Sequence, residues 1–410
     1  MATIDRSPLI EEGAASITLA ERALRNGGQR REVFDVIVIG GGQAGLSVGY
    51  HLAKCGVRFV ILDADERVGD SWRKRWDSLR LFTPAKFNGL DGMRFPAPRN
   101  YFPTKDEMAS YLDAYAKRFE LPVRNGVRIE RLWMRAGRYV AKAGGVEFEA
   151  PQVVVAMAKY QRARPPAFAA DLCCQITQLH SIDYRNVGQF QPGSVLLVGA
   201  GNSGADIALE VARAGHKTWV SGRDVGQLPF RLERPLARYL LQPLVLDFVF
   251  KHVLTVNTPV GRKVRRAVLT KGGLLIRVKR SDLAAAGVER VPRITGVKGG
   301  LPLLEGGRTL PVDNVIWCTG FEPGFDWIEL PVWGDHGMPK HQSGLVASHP
   351  GLYFVGLPFL HSMSSSMVNG VGRDAARIVR AIKARYDVIR GDAAATCESL
   401  GSAASGSRSS

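Results

Sequence analysis

The chain has 410 residues, 45% of them hydrophobic, enough for two or three domains with substantial cores. Its five cysteines (Cys55, Cys173, Cys174, Cys318, Cys397) are scattered without C-x-x-C spacing, which argues against a disulfide framework, a separated redox dithiol or a zinc site; no metal is expected, and a reducing cytoplasm is the natural home. The formal charge of +17 draws on the run 251–280, nine Lys and Arg without one acidic residue; with sparse aromatics and no nucleic-acid motif, it reads as a solvated basic face or a steering field for polyanionic cofactors rather than a nucleic-acid site.

Residues 1–32 carry both signs of charge and lack an apolar stretch, so they read as an N-terminal extension with one helix around 15–24 and not as a signal peptide. The first unit opens with the β-branched run 35–39 and the turn Gly40-Gly41-Gly42-Gln43-Ala44-Gly45. A helix over 44–55, stopped by Gly56, and a strand over 57–62 ending at Asp63 follow. Residues 63–103 are irregular and rich in Trp, Arg, Phe and Pro, and loops of such length usually carry function. A helix is predicted over 105–119, with Met108, Leu112, Tyr115 and Phe119 on its apolar face, then a β-meander at 127–131, 138–142 and 146–149 and a buried run at 153–156.

A second strand-turn-helix unit begins near 165. Its run 195–198 leads into Gly199-Ala200-Gly201-Asn202-Ser203-Gly204, and its next strand, 217–220, ends at Ser221-Gly222-Arg223. The longest apolar stretch, 236–256, is interrupted by Arg238, Pro243, Asp247 and Lys251, too broken for a membrane span. A helix packed on its own domain is the favoured reading there; an amphipathic pair over a substrate entrance or in peripheral contact with a bilayer is the alternative. A strand over 314–318 then delivers Thr319-Gly320-Phe321, the run 351–356 leads into a last helix over 365–386, and the Ala/Ser/Gly-rich 391–410 is predicted to be a disordered tail.

Both glycine turns fit G-x-G-x-x-G. The first Gly permits the tight turn, the second lets backbone approach a pyrophosphate, and the third lets helix and strand pack closely, with the anion on the helix N-terminus. One such turn is a weak signal; two in strand-turn-helix context imply two dinucleotide sites. Asp63, at the end of the strand after the first turn, can accept both ribose hydroxyls of FAD or NAD. At the equivalent place after the second turn stand Ser221 and Arg223, a hydroxyl and a planar fork of donors that suit the 2′-phosphate of NADPH.

Taken together, Gly40 to Gly45, Val68-Gly69-Asp70-Ser71-Trp72, Trp76-Asp77-Ser78-Leu79-Arg80-Leu81, Tyr101-Phe102-Pro103-Thr104-Lys105, Gly199 to Gly204, Ser221-Gly222-Arg223 and Cys318-Thr319-Gly320-Phe321 resemble the class B flavoprotein monooxygenases. That family comprises the flavin-containing monooxygenases, the plant YUCCA-type enzymes and bacterial relatives, and the likeness covers about residues 34–386. It implies an α/β fold of two Rossmann-like dinucleotide-binding domains. The NADPH-binding domain, 165–310, is inserted into a discontinuous FAD-binding domain, 33–164 and 311–390. On this resemblance Gly40, Gly42, Gln43, Ala44, Gly45, Asp63, Gly69 and Trp72 hold FAD with Thr319 and Gly320 near it, and Gly199, Gly201, Asn202, Ser203, Gly204, Ser221 and Arg223 hold NADPH. The stretch 361–369 either faces the flavin at the start of the last helix or is a Ser-rich capping turn.

Three departures qualify the likeness. The family's linker fingerprint, F-x-G-x-x-x-H followed by an aromatic, keeps His180 and Tyr184 but has Cys174 and Ile176 at its Phe and Gly positions. His180 is therefore expected to fix domain orientation rather than act as a base. Val155-Ala156-Met157-Ala158 replaces the usual A-T-G, and Phe82-Thr83-Pro84 replaces the Thr-Asn pair of many flavin-containing monooxygenases, which makes a carbon-centred substrate more credible. The resemblance implies that NADPH reduces the flavin, which reacts with O₂ to a peroxide adduct that oxygenates a small organic substrate; no catalytic residue is assigned, because the cofactor carries the chemistry. Two alternatives stay open: a flavoprotein reductase or oxidase without productive oxygen insertion, and a redox-sensing binding protein.

Overall fold

The alternation of β-branched runs with amphipathic helices produces two five-stranded, all-parallel sheets. The computed structural model describes residues 30–158, 160–271 and 273–405, except for the side chains of 271, 336 and 392–405; the helix expected at 15–24 lies outside the described residues. In the first sheet the strands run Leu352–Phe354, Gln152–Val155, Val36–Ile39, Phe59–Leu62 and Val123–Arg124. The middle three are buried at every residue, as parallel strands covered on both faces must be.

Strand alternation divides their side chains between two cores. Val36, Val38, Ile61 and Val154 join the cluster formed with the helices Gln43–Ala53 and Lys105–Arg118 and the start of the last helix. Ile37, Ile39, Val60 and Val155 face a second cluster. That cluster is closed by a four-stranded sheet ordered Arg30–Val33, Val146–Ala150, Arg138–Ala143 and Arg131–Arg135. The meander strand expected at 127–131 thus forms a few residues later.

The second sheet runs Thr177–His180, Asn314–Trp317, Val195–Val198, Thr218–Ser221 and Glu289–Val291. On one side lies the helix Asn202–Arg213. Leu196, Trp219, Val315 and Trp317 meet Ile294 and Leu304 of an antiparallel hairpin on the other.

Two sequence expectations change. The strand Asn314–Trp317, expected to reopen the first domain at 311, lies in the second sheet between Thr177–His180 and Val195–Val198. The chain returns only after Phe321–Glu322, which pairs antiparallel with Arg162–Ala163 where the chain leaves the first domain. The inserted unit therefore ends near 320, and an apolar run alone could not say which of two similar sheets it would join. The last helix, expected to stop at 386, spans Val368–Ser405. The expected disorder from 391 is replaced by helix as far as Ser405, because Ala393, Ala394 and Ala395 are the strongest helix formers; residues 406–410 lie outside the described residues. Among the described residues no helix is long and apolar enough to cross a membrane, and no group of His, Cys, Asp and Glu is placed to hold a metal ion.

Candidate functional site

The two glycine turns repeat one geometry. Gly40 and Gly199, at φ 109° and 119°, take the left-handed turn that a side chain would oppose. A Cβ on Gly45 would stand 1.8 Å from Gly40 O, and one on Gly204 1.9 Å from Gly199 O, so the third glycine of each motif is required by helix-on-turn packing. The middle glycines differ. Gly42 (φ −75°, ψ −170°) and Gly201 (φ −80°, ψ −171°) have ordinary extended backbone, and a Cβ on either would meet nothing in the protein.

Each is the N-cap of its helix, with no side-chain cap hydrogen bond and no acidic residue in the first turn. Two helix N-termini thus present uncapped N–H donors and positive dipole ends to open space, the arrangement that accepts a pyrophosphate. The residues present fit two dinucleotides.

Around the first turn, Trp72 Nε1 donates to Gln43 Oε1 at 3.1 Å, and Ala44 is buried where the Cβ of a residue at 356 would come within 2.9 Å of its own Cβ. Asp63 lies against Gly41, where a Cβ would stand 2.5 Å from Asp63 Oδ2. Burial pushes the Asp63 carboxyl above its usual range, while backbone N–H groups of Asp65, Gly41 and Ala64 pull the other way and the Asp65 charge adds to the rise. Gly69 is explained by packing: at φ 91° it lets a short helical turn, Asp70–Arg73, close on Ala109, whose carbonyl oxygen would be 2.6 Å from a Cβ there.

Around the second turn, a Cβ on Gly222 would lie 2.9 Å from Ala200 N, so the Ser221-Gly222-Arg223 turn is set against the glycine motif. Arg223 is exposed and, among the described residues, has no hydrogen-bond partner. Ser221 does not serve as expected. It is fully buried, its Oγ donates to Pro292 O at 2.8 Å and accepts from Ile294 N at 3.1 Å, and it therefore staples two strands instead of facing a phosphate. Asn202 is also committed, with Nδ2 on Leu274 O (2.9 Å) and Oδ1 on Ile276 N (3.0 Å). Ser203 is half-buried in the first turn of the same helix.

A cation missed in the sequence joins Arg223: Arg290 Nη2 donates to Gly222 O at 2.8 Å. Only the parallel pairing of Val220 with Arg290 places it there.

Thr319 and Gly320, expected near FAD, follow the second-sheet strand and form the crossing. Thr319 Oγ1 donates to Arg164 O at 2.6 Å. His180 Nδ1 accepts from Ile182 N (3.2 Å), so its Nε2 carries the proton and donates to Gly320 O at 3.0 Å. Burial lowers the His180 pKa, and a neutral ring fixed at both nitrogens is a positioning element. The domains also meet through Ser78 Oγ on Glu210 Oε2 and Asn186 Nδ2 on Asp77 Oδ2, both 2.7 Å. The Tyr101-to-Lys105 motif resolves as a helix cap, with Thr104 and Glu107 bonded reciprocally. In the 361–369 stretch, Ser365 Oγ accepts from the N–H groups of His361 and Ser362 at 3.0 and 2.9 Å, as in a capping turn.

The family described as pyridine nucleotide-disulphide oxidoreductase matches residues 37–252, more than half of the chain and spanning both glycine turns. The chain belongs to that family. Within the family it is similar to an uncharacterised CzcO-like oxidoreductase of Geobacillus kaustophilus, 35% identical over 361 residues, 86% of this chain and 99% of the relative. An indole-3-pyruvate monooxygenase of Oryza sativa, YUCCA1, is 28% identical over 335 residues, covering 74% and 80%. Among solved structures, a flavin-containing monooxygenase from Stenotrophomonas maltophilia superposes with a TM-score of 0.71 at 28% identity, covering 86% of this chain and 99% of that one.

This family member is an oxidoreductase of the class B flavoprotein monooxygenase type, and FAD with NADPH is the cofactor pair of that type. Cys55, Cys173, Cys174 and Cys318 are free, and burial pushes the Cys318 thiol up to about 12, beside the second glycine turn.

Proposed function

We propose that this oxidoreductase binds FAD on the Gly40–Gly45 turn and NADPH on the Gly199–Gly204 turn, and oxygenates a small, largely apolar organic substrate between the two domains. The observation that carries this reading is the pair of uncapped helix N-termini whose middle glycines face open space, in sheets joined by one crossing pair of strands. Held on the Gly40–Gly45 turn, FAD would supply the capacity to take a hydride from NADPH and to activate O₂.

The chain's own residues bind, orient and exclude water. Gln43 and Trp72 fix each other beside the first turn, and His180 and Thr319 hold the crossing. Thr83 Oγ1 donates to Asn88 Oδ1 at 2.6 Å and both are buried, so this loop satisfies its own polar groups. Phe82, Phe87, Phe102, Met363 and Met367 meet Leu246 and Phe250 of the inserted domain in one apolar cluster. Such an apolar contact between the domains favours an apolar substrate beside it and keeps water away. Parallel measurement of NADPH consumed, H₂O₂ released and ¹⁸O incorporated from ¹⁸O₂, across amines, sulfides, ketones and 2-oxo acids, tests this. Label in product supports oxygenation, and complete recovery of reducing equivalents as H₂O₂ with every substrate supports the reductase or oxidase reading.

Two variants separate the nucleotides. Arg223→Ala is expected to raise KM for NADPH roughly ten- to a hundred-fold with little effect on NADH, the loss of one charge-assisted phosphate contact; equal effects would remove Arg223 from the 2′-phosphate site. Asp63→Asn is expected to weaken FAD by a similar factor, roughly ten- to a hundred-fold, at neutral pH. The ionised Asp63 accepts the ribose hydroxyls and its pKa is raised. FAD affinity should therefore fall as pH drops, beginning above the range of an ordinary aspartate, while apo-protein stability falls as pH rises through the same window. Asp63→Asn should flatten both profiles, read by FAD release and by thermal unfolding.

A further inference from the structure

We propose that the exposed apolar stripe over residues 236–248 docks this protein on the surface of an anionic lipid bilayer. The stripe lies on consecutive π-helical segments, Ala237–Leu241 and Pro243–Val253. Its side chains follow two interleaved four-residue repeats. Gln242, Leu246 and Phe250 are buried, the last two in the apolar cluster between the domains, whereas Leu236, Leu240, Leu244 and Phe248, with Tyr239, point outward and are between 46% and 81% exposed. Five large hydrophobic side chains on one outward face, beyond scattered single exposures, mark an interaction surface.

Charge selects the partner. The stretch 231–271 holds nine basic and two acidic residues, and of the two acids Asp247 is paired with Lys251, while Glu233 is exposed. Arg234 and, on the neighbouring helix Pro259–Lys271, Arg262, Lys263 and Arg266 are exposed, and Val260 of that helix is 56% exposed. An apolar ridge whose chain continues directly into a cation-rich exposed helix, with an exposed Tyr in its run, is complementary to an acyl boundary beneath anionic headgroups. A second copy of this chain would bring the same cations against each other on a protein of formal charge +17, and a nucleic acid would leave the Leu and Phe side chains in water. The mode is peripheral, since among the described residues no helix is long and apolar enough to cross a membrane. Resting on the function proposed above, the buried side of the same segment would admit substrates that partition into lipid.

The test is co-sedimentation of the FAD-loaded protein with phosphatidylcholine vesicles, with and without phosphatidylglycerol, against the double variant Leu240→Asp/Phe248→Asp. The protein is expected to sediment with the anionic vesicles, at least roughly tenfold more weakly with neutral ones or at high salt, and the variant to lose roughly tenfold in partitioning to anionic vesicles. FAD content and NADPH oxidation in lipid-free solution should be unchanged in the variant, which reports folding. Absence of vesicle binding, or equal binding by the variant, overturns the proposal. So does a wild-type dimer without lipid that the variant converts to monomer, since the stripe is then a self-contact. No step needs substrate, so failure here is distinct from failure of the oxygenation reading.

Discussion

Gly42→Ala is expected to give folded protein that carries no FAD. At φ −75° and ψ −170° alanine fits the backbone without strain, and the new methyl meets no protein atom. The apo-protein should therefore keep its stability or gain about 0.5–1 kcal/mol from the stiffer unfolded chain. The same methyl stands where a pyrophosphate must approach the helix N-terminus, and losing that approach should weaken FAD by roughly a thousand-fold, about 4 kcal/mol. Gly45→Ala is the control with the opposite signature: its Cβ would stand 1.8 Å from Gly40 O. The turn must shift, and a destabilisation of about 3–5 kcal/mol is expected whether or not FAD is present. Chemical denaturation with FAD stoichiometry on both variants separates the cases; loss of apo stability in Gly42→Ala would mean that this glycine serves packing alone.

Gly201→Ala should do to NADPH what Gly42→Ala does to FAD. Its backbone is equally ordinary and its Cβ would equally meet nothing, so the protein is expected to fold and stay yellow. KM for NADPH should rise at least roughly a hundred-fold, about 3 kcal/mol, with FAD content unchanged. Steady-state kinetics with NADPH and NADH checks it. Because the pyrophosphate is common to both, both should suffer, in contrast to Arg223→Ala, where NADPH alone should. A Gly201→Ala protein with normal NADPH kinetics would place the nicotinamide nucleotide elsewhere.

Both glycine turns are legible in the sequence because their geometry is local: three glycines at fixed spacing, an apolar strand before and a helix after. The placement of Asp63 and Arg223 just past the ends of the next strands is legible for the same reason. What depends on pairing between distant segments is not. Val315, Ile316 and Trp317 are as apolar as residues of the first-sheet strands, and only their register against Val195–Val198 assigns them to the second sheet. That register places Thr319 and Gly320 at the crossing between the two sheets. Sequence position beside Arg223 makes Ser221 read as a phosphate ligand, yet its hydroxyl is turned inward to Pro292 and Ile294. Arg290 had no motif and reaches Gly222 only through a neighbouring strand. Composition alone reads the Ala-rich end of the chain as a tail, although alanine favours the helix that extends to Ser405.

The most direct test of a shared two-nucleotide site is anaerobic titration of the purified protein with NADPH, followed in the flavin absorption band. Stoichiometric bound FAD that bleaches with NADPH and regains its colour on admission of air is the expected result. Protein that retains no flavin and takes none up, or bound FAD that NADPH leaves oxidised, would contradict it.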